Sequence, residues 1–177
     1  PSSLSFGGMR VVSGVSFGVE AGTITSLVGP NGAGKTSVFN IISRLVSPSS
    51  GEVWLDGRRI DNLPPHTAAR RGLGRMFQDP RIFKGLSVID NALAGARLRA
   101  TNPWHALIRD RRTTGEWRAA EARIGGILGA FGLGARIHDQ AEVLSFAEQR
   151  FLSFARCVAG EPTVLLLDEP TDGLDIR

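Results

Sequence analysis

Gly29-Pro30-Asn31-Gly32-Ala33-Gly34-Lys35-Thr36 fits the pattern G-x-x-x-x-G-K-[ST]. Its glycines let successive backbone N–H groups curl around a phosphate, an approach bulkier residues obstruct. Lys35 is placed to neutralise β- and γ-phosphates, and the Thr36 hydroxyl to ligate Mg²⁺. A helix following the loop adds the positive end of its dipole, with Ser37 in its first turn. Far along the chain, Val164 to Leu167 runs into Asp168 and Glu169. Carboxylates at the end of a buried parallel strand lie where such sheets bind ligands, so this pair is expected beside the phosphate loop. Asp168 would hold Mg²⁺ through water, and Glu169 would polarise an attacking water as general base.

Those residues need a strand before the loop and a helix after it, and the sequence offers both. Thr23 to Val28 reads as a strand, and Val15, Phe17 and Val19 alternate as in a half-buried one. From Ser37 to Leu45, Val38, Ile41, Ile42 and Leu45 recur at helical spacing until Pro48 to Gly51 breaks the pattern. Val53 and Leu55 then alternate, and Asp56-Gly57 predicts a hairpin into Arg58 to Ile60. Ser87-Val88-Ile89-Asp90 has the form of a capping box, opening a helix through about Arg99. Thr114 can cap another helix, striped by Trp117, Ala120, Ile124, Ile127, Leu128 and Phe131. Gly125-Gly126 weakens it in propensity, so packing must hold it, and Gly132 and Gly134 end it. Thr101 to Thr113 reads as a loop or short helical excursion. Thr163 to Leu167 does not alternate, as in a strand buried on both faces. The order is α/β, then α, then α/β: a helical block inserted in a nucleotide-binding core.

Composition bounds the remaining classes. With 177 residues, 42% hydrophobic and 21% charged, the chain is expected to build one globular domain. No apolar run approaches a membrane span, and no secretory leader opens the sequence, so it reads as cytosolic. Its single cysteine, Cys157, fits that compartment. The net charge of +4 raises nucleic acid or an acidic surface as partner. Only Lys35 and Lys84 among the 21 basic residues are lysines, a skew that reflects base composition rather than recognition. Arg97, Arg99, Arg109, Arg111 and Arg112 cluster modestly, interrupted by Asp110 and followed by Glu116 and Glu121, as on a solvated helical face. No nucleic-acid partner is expected.

The chain lacks an Asn-Lys-x-Asp guanine reader, and the span between Lys35 and Asp168 leaves room for the helical insertion. Over nearly its whole length it resembles the ABC ATPases. The loop from Gly29 to Thr36 has their form. Gln78, in Met76-Phe77-Gln78-Asp79-Pro80, matches the Q-loop glutamine, which the resemblance implies links Mg²⁺ and the attacking water to the helical subdomain. Phe6 stands where the family stacks an aromatic on adenine. Asp168-Glu169-Pro170-Thr171-Asp172-Gly173-Leu174-Asp175 matches the Walker B and D-loop run, making Asp175 a nucleotide-site residue. The implied fold is α/β: a P-loop NTPase core with a RecA-like sheet and helices, an N-terminal antiparallel β part and an inserted α-helical subdomain. The implied parts are 1–78, the core with its phosphate loop, 79–158, the helical subdomain with the signature loop, and 159–177, the return to the core. Phe6-Gly7-Gly8, the run from Gly34 to Asn40 and Arg81-Ile82-Phe83 look like the ATP-binding subunits of branched-chain amino-acid transporters.

The family signature Leu-Ser-Gly-Gly-Gln reads here Leu144-Ser145-Phe146-Ala147-Glu148. In the family this loop opens a helix and caps the γ-phosphate of ATP bound to the other subunit, so Ser145 is expected to act in trans. Ala147 is the sharper departure, because its Cβ obstructs close approach to phosphate and disfavours positive φ. Weakened closure around ATP is the expectation. Arg177 follows Asp175 by two residues, so the switch-loop histidine is missing, and His66, His105 and His138 read as surface or packing residues. Pro1-Ser2-Ser3 begins without the usual first strand, so a poorly stable fragment is expected.

The resemblance implies a Mg²⁺-dependent ATPase that dimerises head to tail with an identical or different cassette. It further implies docking of a transmembrane permease through the Gln78 region and helical subdomain. The expected place is the cytoplasmic face of the cell membrane. Two rivals stand beside it: a soluble ABC ATPase acting on ribosomes or DNA, and a regulatory cassette that binds ATP without turnover. Glu169 argues against the latter.

Overall fold

The computed structural model describes residues 2–6, 9–96 and 115–170. They form two compact units, Pro1–Arg71 and Gly72–Arg177. The predicted Thr101 to Thr113 loop, the Thr114 cap, the arginine cluster, His105 and the D-loop with Asp175 lie outside the described residues.

In the first unit, strand β1 (Ser2–Phe6) pairs antiparallel with β2 (Met9–Val15), Ser2 facing Val15 and Phe6 facing Met9. Leu4 and Phe6 alternate with serines, which is the period of a strand. The expectation of an N-terminus without a first strand is therefore corrected. So is the expected strand at Val15 to Val19, because β2 ends at Val15 and Phe17 and Val19 are about half exposed. Nor is Thr23 to Val28 a strand: Ile24 is 98% and Val28 89% exposed, with no ladder recorded. A turn intervenes, with Gly22 at φ 76° and the Thr23 hydroxyl donating to the Glu20 carbonyl at 2.7 Å. Alternation prepares an extended backbone, but a strand exists only through a partner. Among the described residues of this unit, the paired strands are β1 with β2 and β3 with β4.

Helix α1 (Lys35–Ile42) buries Val38 and Ile41 against Val15, Leu27, Val46 and Val53. It stops before the expected Leu45 because Arg44 takes φ 63°, which no α-helix continues. Strands β3 (Trp54–Leu55) and β4 (Arg58–Arg59) make the expected hairpin. Asp56 and Gly57 both sit at positive φ, as a two-residue primed turn requires. Helix α2 (Pro65–Arg70) begins with a proline, whose missing N–H costs nothing in a first turn.

The second unit is built on β5 (Leu73–Met76) and β6 (Val164–Leu167), paired in parallel from Leu73 with Val164 to Met76 with Leu167. Gly72 makes the close start possible: it lies at φ 113°, and a Cβ there would sit 2.4 Å from the Thr163 hydroxyl oxygen. Helices α3 (Val88–Leu93), α4 (Gly115–Ala130) and α5 (Phe146–Ala159) enclose one apolar core. Ala120, Ile124 and Leu128 are the buried stripe of α4, as spaced in the sequence. Phe131 stacks on Phe151 at 5.7 Å between ring centroids and meets Phe154 edge-on at 5.2 Å. Gly132, at φ 75°, ends α4 while the Leu133 N–H donates to Leu128 O at 2.8 Å.

Ser87 caps α3 as predicted: its hydroxyl accepts the Asp90 N–H at 3.2 Å and donates to the Asp90 carboxylate at 2.7 Å. The helix is shorter than expected, ending at Leu93. Just past its end, Gly95 packs against α5, where a Cβ would lie 1.9 Å from the Arg156 carbonyl oxygen. Fully buried Asn91 fastens the preceding loop, accepting the Phe83 N–H at 2.8 Å and donating to Phe83 O at 2.9 Å. On α5, the Cys157 thiol donates to the Arg75 carbonyl of β5 at 3.2 Å.

Candidate functional site

The phosphate loop has the backbone its sequence demands. Gly32 and Gly34 lie at φ 80° and 86°, a region where side chains with a Cβ are strained. Gly34 is the N-cap of α1, and no side chain caps that helix. Among the described residues the first N–H groups of α1 thus meet no side-chain cap, the arrangement that receives an anion at a helix start. Lys35 folds back over the loop, its ammonium donating to Gly29 O at 2.7 Å and Pro30 O at 2.9 Å. Those carbonyls hold the charge inside the ring of the loop. Pro30, Asn31, Gly32, Ala33 and Thr36 are exposed, and Ser37 is half-buried. Phe6 is the last residue of β1.

The second unit gathers Gln78, Asp168 and Glu169 at the carboxyl ends of β5 and β6. Parallel register brings the strand ends level, so residues just past Met76 and Leu167 meet. The Gln78 amide donates to the Glu169 carboxylate at 2.8 Å, and both residues are exposed. Glu169 takes φ 49°, the left-handed region. Asp168 is buried, 3.3 Å from the Arg75 guanidinium, with side chains 11% and 8% exposed. Burial pushes the Arg75 guanidinium below its ordinary value, while the Asp168 charge pulls it back up.

Ser145 is the N-cap of α5, within a reciprocal capping box. Its hydroxyl accepts the Glu148 N–H at 3.3 Å and donates to the Glu148 carboxylate at 2.8 Å, while its own N–H donates to the same carboxylate at 2.8 Å. Arg136 completes the group, donating to Glu148 at 2.7 Å and to Asp139 at 2.9 Å. Phe146 and Ala147 form the first turn of α5, and Ala147 is not among the residues at positive φ. The second position of a helix asks for ordinary right-handed φ, so Ala147 sits there without backbone strain.

Sequence reasoning passed over Arg75, Asn91, Arg136 and Arg150. Arg150 is 1% exposed and donates to the carbonyls of Gln78, at 3.0 Å, and Glu169. One signal was available: Phe146, Arg150, Ser153 and Cys157 recur at helical spacing, placing a cation in line with small and apolar residues.

Comparison with known proteins agrees with this geometry. The family model described as ABC transporter matches residues 12–172. The high-affinity branched-chain amino acid transport ATP-binding protein BraF of Pseudomonas aeruginosa is 37% identical over 174 residues, covering 98% of this chain and 68% of its own length. LivG of Escherichia coli K12, described in the same words, is 35% identical over 177 residues, covering 97% of this chain and 68% of its own. Among solved structures, the ADP conformation of MJ1267, an ATP-binding cassette of an ABC transporter, superposes with a TM-score of 0.79 at 26% identity. It covers 98% of this chain and 68% of that one. The described residues include no helix long and apolar enough to cross a membrane. The chain belongs to the ABC transporter family, as a nucleotide-binding ATPase cassette with the P-loop NTPase fold.

Proposed function

We propose that this cassette drives an importer of branched-chain or related amino acids, the solute class named for BraF and LivG. It works as a peripheral subunit on the cytoplasmic face of the cell membrane. Residues 1–78 bind nucleotide, 79–158 carry the signature loop, and 159–177 return the catalytic carboxylates. Phe6 stacks on adenine. Gly29 to Gly34 give backbone N–H groups to the phosphates, Lys35 adds its charge, and Thr36 and Ser37 add hydroxyls. Thr36, Gln78 and Asp168 are the residues that would hold Mg²⁺, each offering the hard oxygen this ion takes. When bound, Mg²⁺ neutralises charge on the β- and γ-phosphates.

The observation that carries the reading is the Gln78 amide against the Glu169 carboxylate at 2.8 Å, just past the ends of a parallel strand pair. Exposed Glu169 accepts a proton from the attacking water, and Gln78, bonded to its carboxylate, holds that carboxylate toward the water. Ser145 meets ATP across a head-to-tail dimer, exchanging its bond to Glu148 for one to the γ-phosphate, and Asp175 belongs to the nucleotide site. The methyl of Ala147 lies on that approach. Phe83 and Leu86, 51% and 41% exposed shortly after Gln78, give the permease an apolar surface.

The test is ATP turnover of the full-length protein beside its Glu169→Gln variant. Turnover falls by roughly a hundredfold or more in the variant while ATP still binds. Equal turnover in both would remove Glu169 from its role as base.

A further inference from the structure

Three cationic groups in the second unit lie outside the roles above: Arg75 beside Asp168, Arg136 beside Glu148, and buried Arg150. The last touches two of the residues that act on water. We propose that Arg150 is a positioning residue for hydrolysis: from the signature helix it fixes the main chains of Gln78 and Glu169 and so sets the spacing of amide and carboxylate. The inference rests on the roles proposed for Gln78 and Glu169.

Glu169 is held in a conformation it would not choose. Its φ of 49° is disfavoured by its own Cβ, and Pro170 pushes the residue before it toward extended backbone. Something must hold the carbonyl between Glu169 and Pro170, and the Arg150 Nη2 donates to it. From the same guanidinium, Nη1 donates to Gln78 O at 3.0 Å. The Gln78 amide then reaches the Glu169 carboxylate at 2.8 Å, closing a ring of three residues. A planar fork serves two carbonyls at a fixed angle, whereas a lysine ammonium is a point charge on a flexible stem.

The burial of Arg150 agrees with this role. At 1% exposure, among the described residues it makes no ion pair and its buried Nε meets no hydrogen-bond partner. Two carbonyl dipoles and the Phe146 ring, 5.8 Å from guanidinium carbon to centroid, are what meet the charge. A core helix position filled by an apolar residue would avoid that desolvation. Arg150 also sits on the helix that Ser145 caps, so displacement of α5 pulls directly on the main chain of the base.

The experiment compares full-length parent, Arg150→Met and Arg150→Lys by steady-state ATPase and by binding of a fluorescent ATP analogue. Amide hydrogen exchange is followed over residues 166–169. Arg150→Met is expected to lower kcat by about ten- to a hundredfold, the scale of a small misplacement of catalytic groups. Analogue affinity stays within about twofold of parent, since binding is separable from chemistry. Arg150→Lys falls between the two, and exchange at Glu169 quickens in both. A kcat within about threefold of parent in folded Arg150→Met overturns the proposal, as does affinity falling in step with kcat. Should Arg150→Met not fold, as judged by circular dichroism, Arg150→Lys decides by the same split, an unchanged kcat overturning it. Turnover surviving in Glu169→Gln would instead sink the base assignment, and exchange at Glu169 would still read the positioning.

Discussion

Glu148 stands where the family signature has glutamine, and it has acquired partners suited to a charge. One carboxylate oxygen accepts the Ser145 N–H and hydroxyl, the other the Arg136 guanidinium. Those bonds hold the Glu148 carboxyl below its ordinary value, the Ser145 backbone N–H contributing most, with the Ser145 hydroxyl and Arg136 adding to it. A depressed carboxyl stabilises the fold above its unfolded value, and that stability is lost as pH falls through the folded value. The contribution is therefore complete above pH 4.5, the ordinary value of the group, and disappears on further acidification. Melting temperature measured across this range should fall more steeply in the parent than in Glu148→Gln, which has nothing to protonate. Parallel curves would show that the carboxylate contributes no pH-dependent stability.

At the scale of elements, two glycines in the helical block behave oppositely. Gly95 lets α3 end against the backbone of α5, and no rotamer moves a carbonyl that would lie 1.9 Å from a new Cβ. Gly95→Ala should cost roughly 3 kcal/mol through forced separation of the two helix ends. Gly126 on α4 is exposed, and a Cβ there meets nothing within 4 Å. Gly126→Ala should therefore add about 1 kcal/mol through helix propensity. Urea unfolding of both variants reads this directly, as opposite shifts in midpoint at constant slope. The α4 stripe, the Ser87 cap and the Asp56-Gly57 hairpin were legible because each follows from residues a few positions apart. The phosphate loop was legible for the same reason. Thr23 to Val28 was misread because strand propensity does not supply a ladder partner. Arg150 was missed because its partner carbonyl at Gln78 is 72 residues away. The short spacing rules do not reach that far.

Across the whole molecule, each of the two units has its own buried cluster, one around Val38 and Ile41, the other among α3, α4 and α5. The chain's single cysteine belongs to the second. Burial pushes the Cys157 thiol up from its ordinary value, neighbouring Arg156 opposing the shift, so little of it is the reactive thiolate at neutral pH. Half-buried, and with its hydrogen given to the Arg75 carbonyl, it reacts with an alkylating reagent faster when α5 parts from β5. Labelling of the native protein should run far slower than in urea, and mass spectrometry against time checks this. Equal rates would mean that the helix does not shield the sulfur. The protein thus carries an internal clock for its own breathing: one sulfur, at the seam between α5 and β5, whose alkylation rate reports on that opening without any engineered probe.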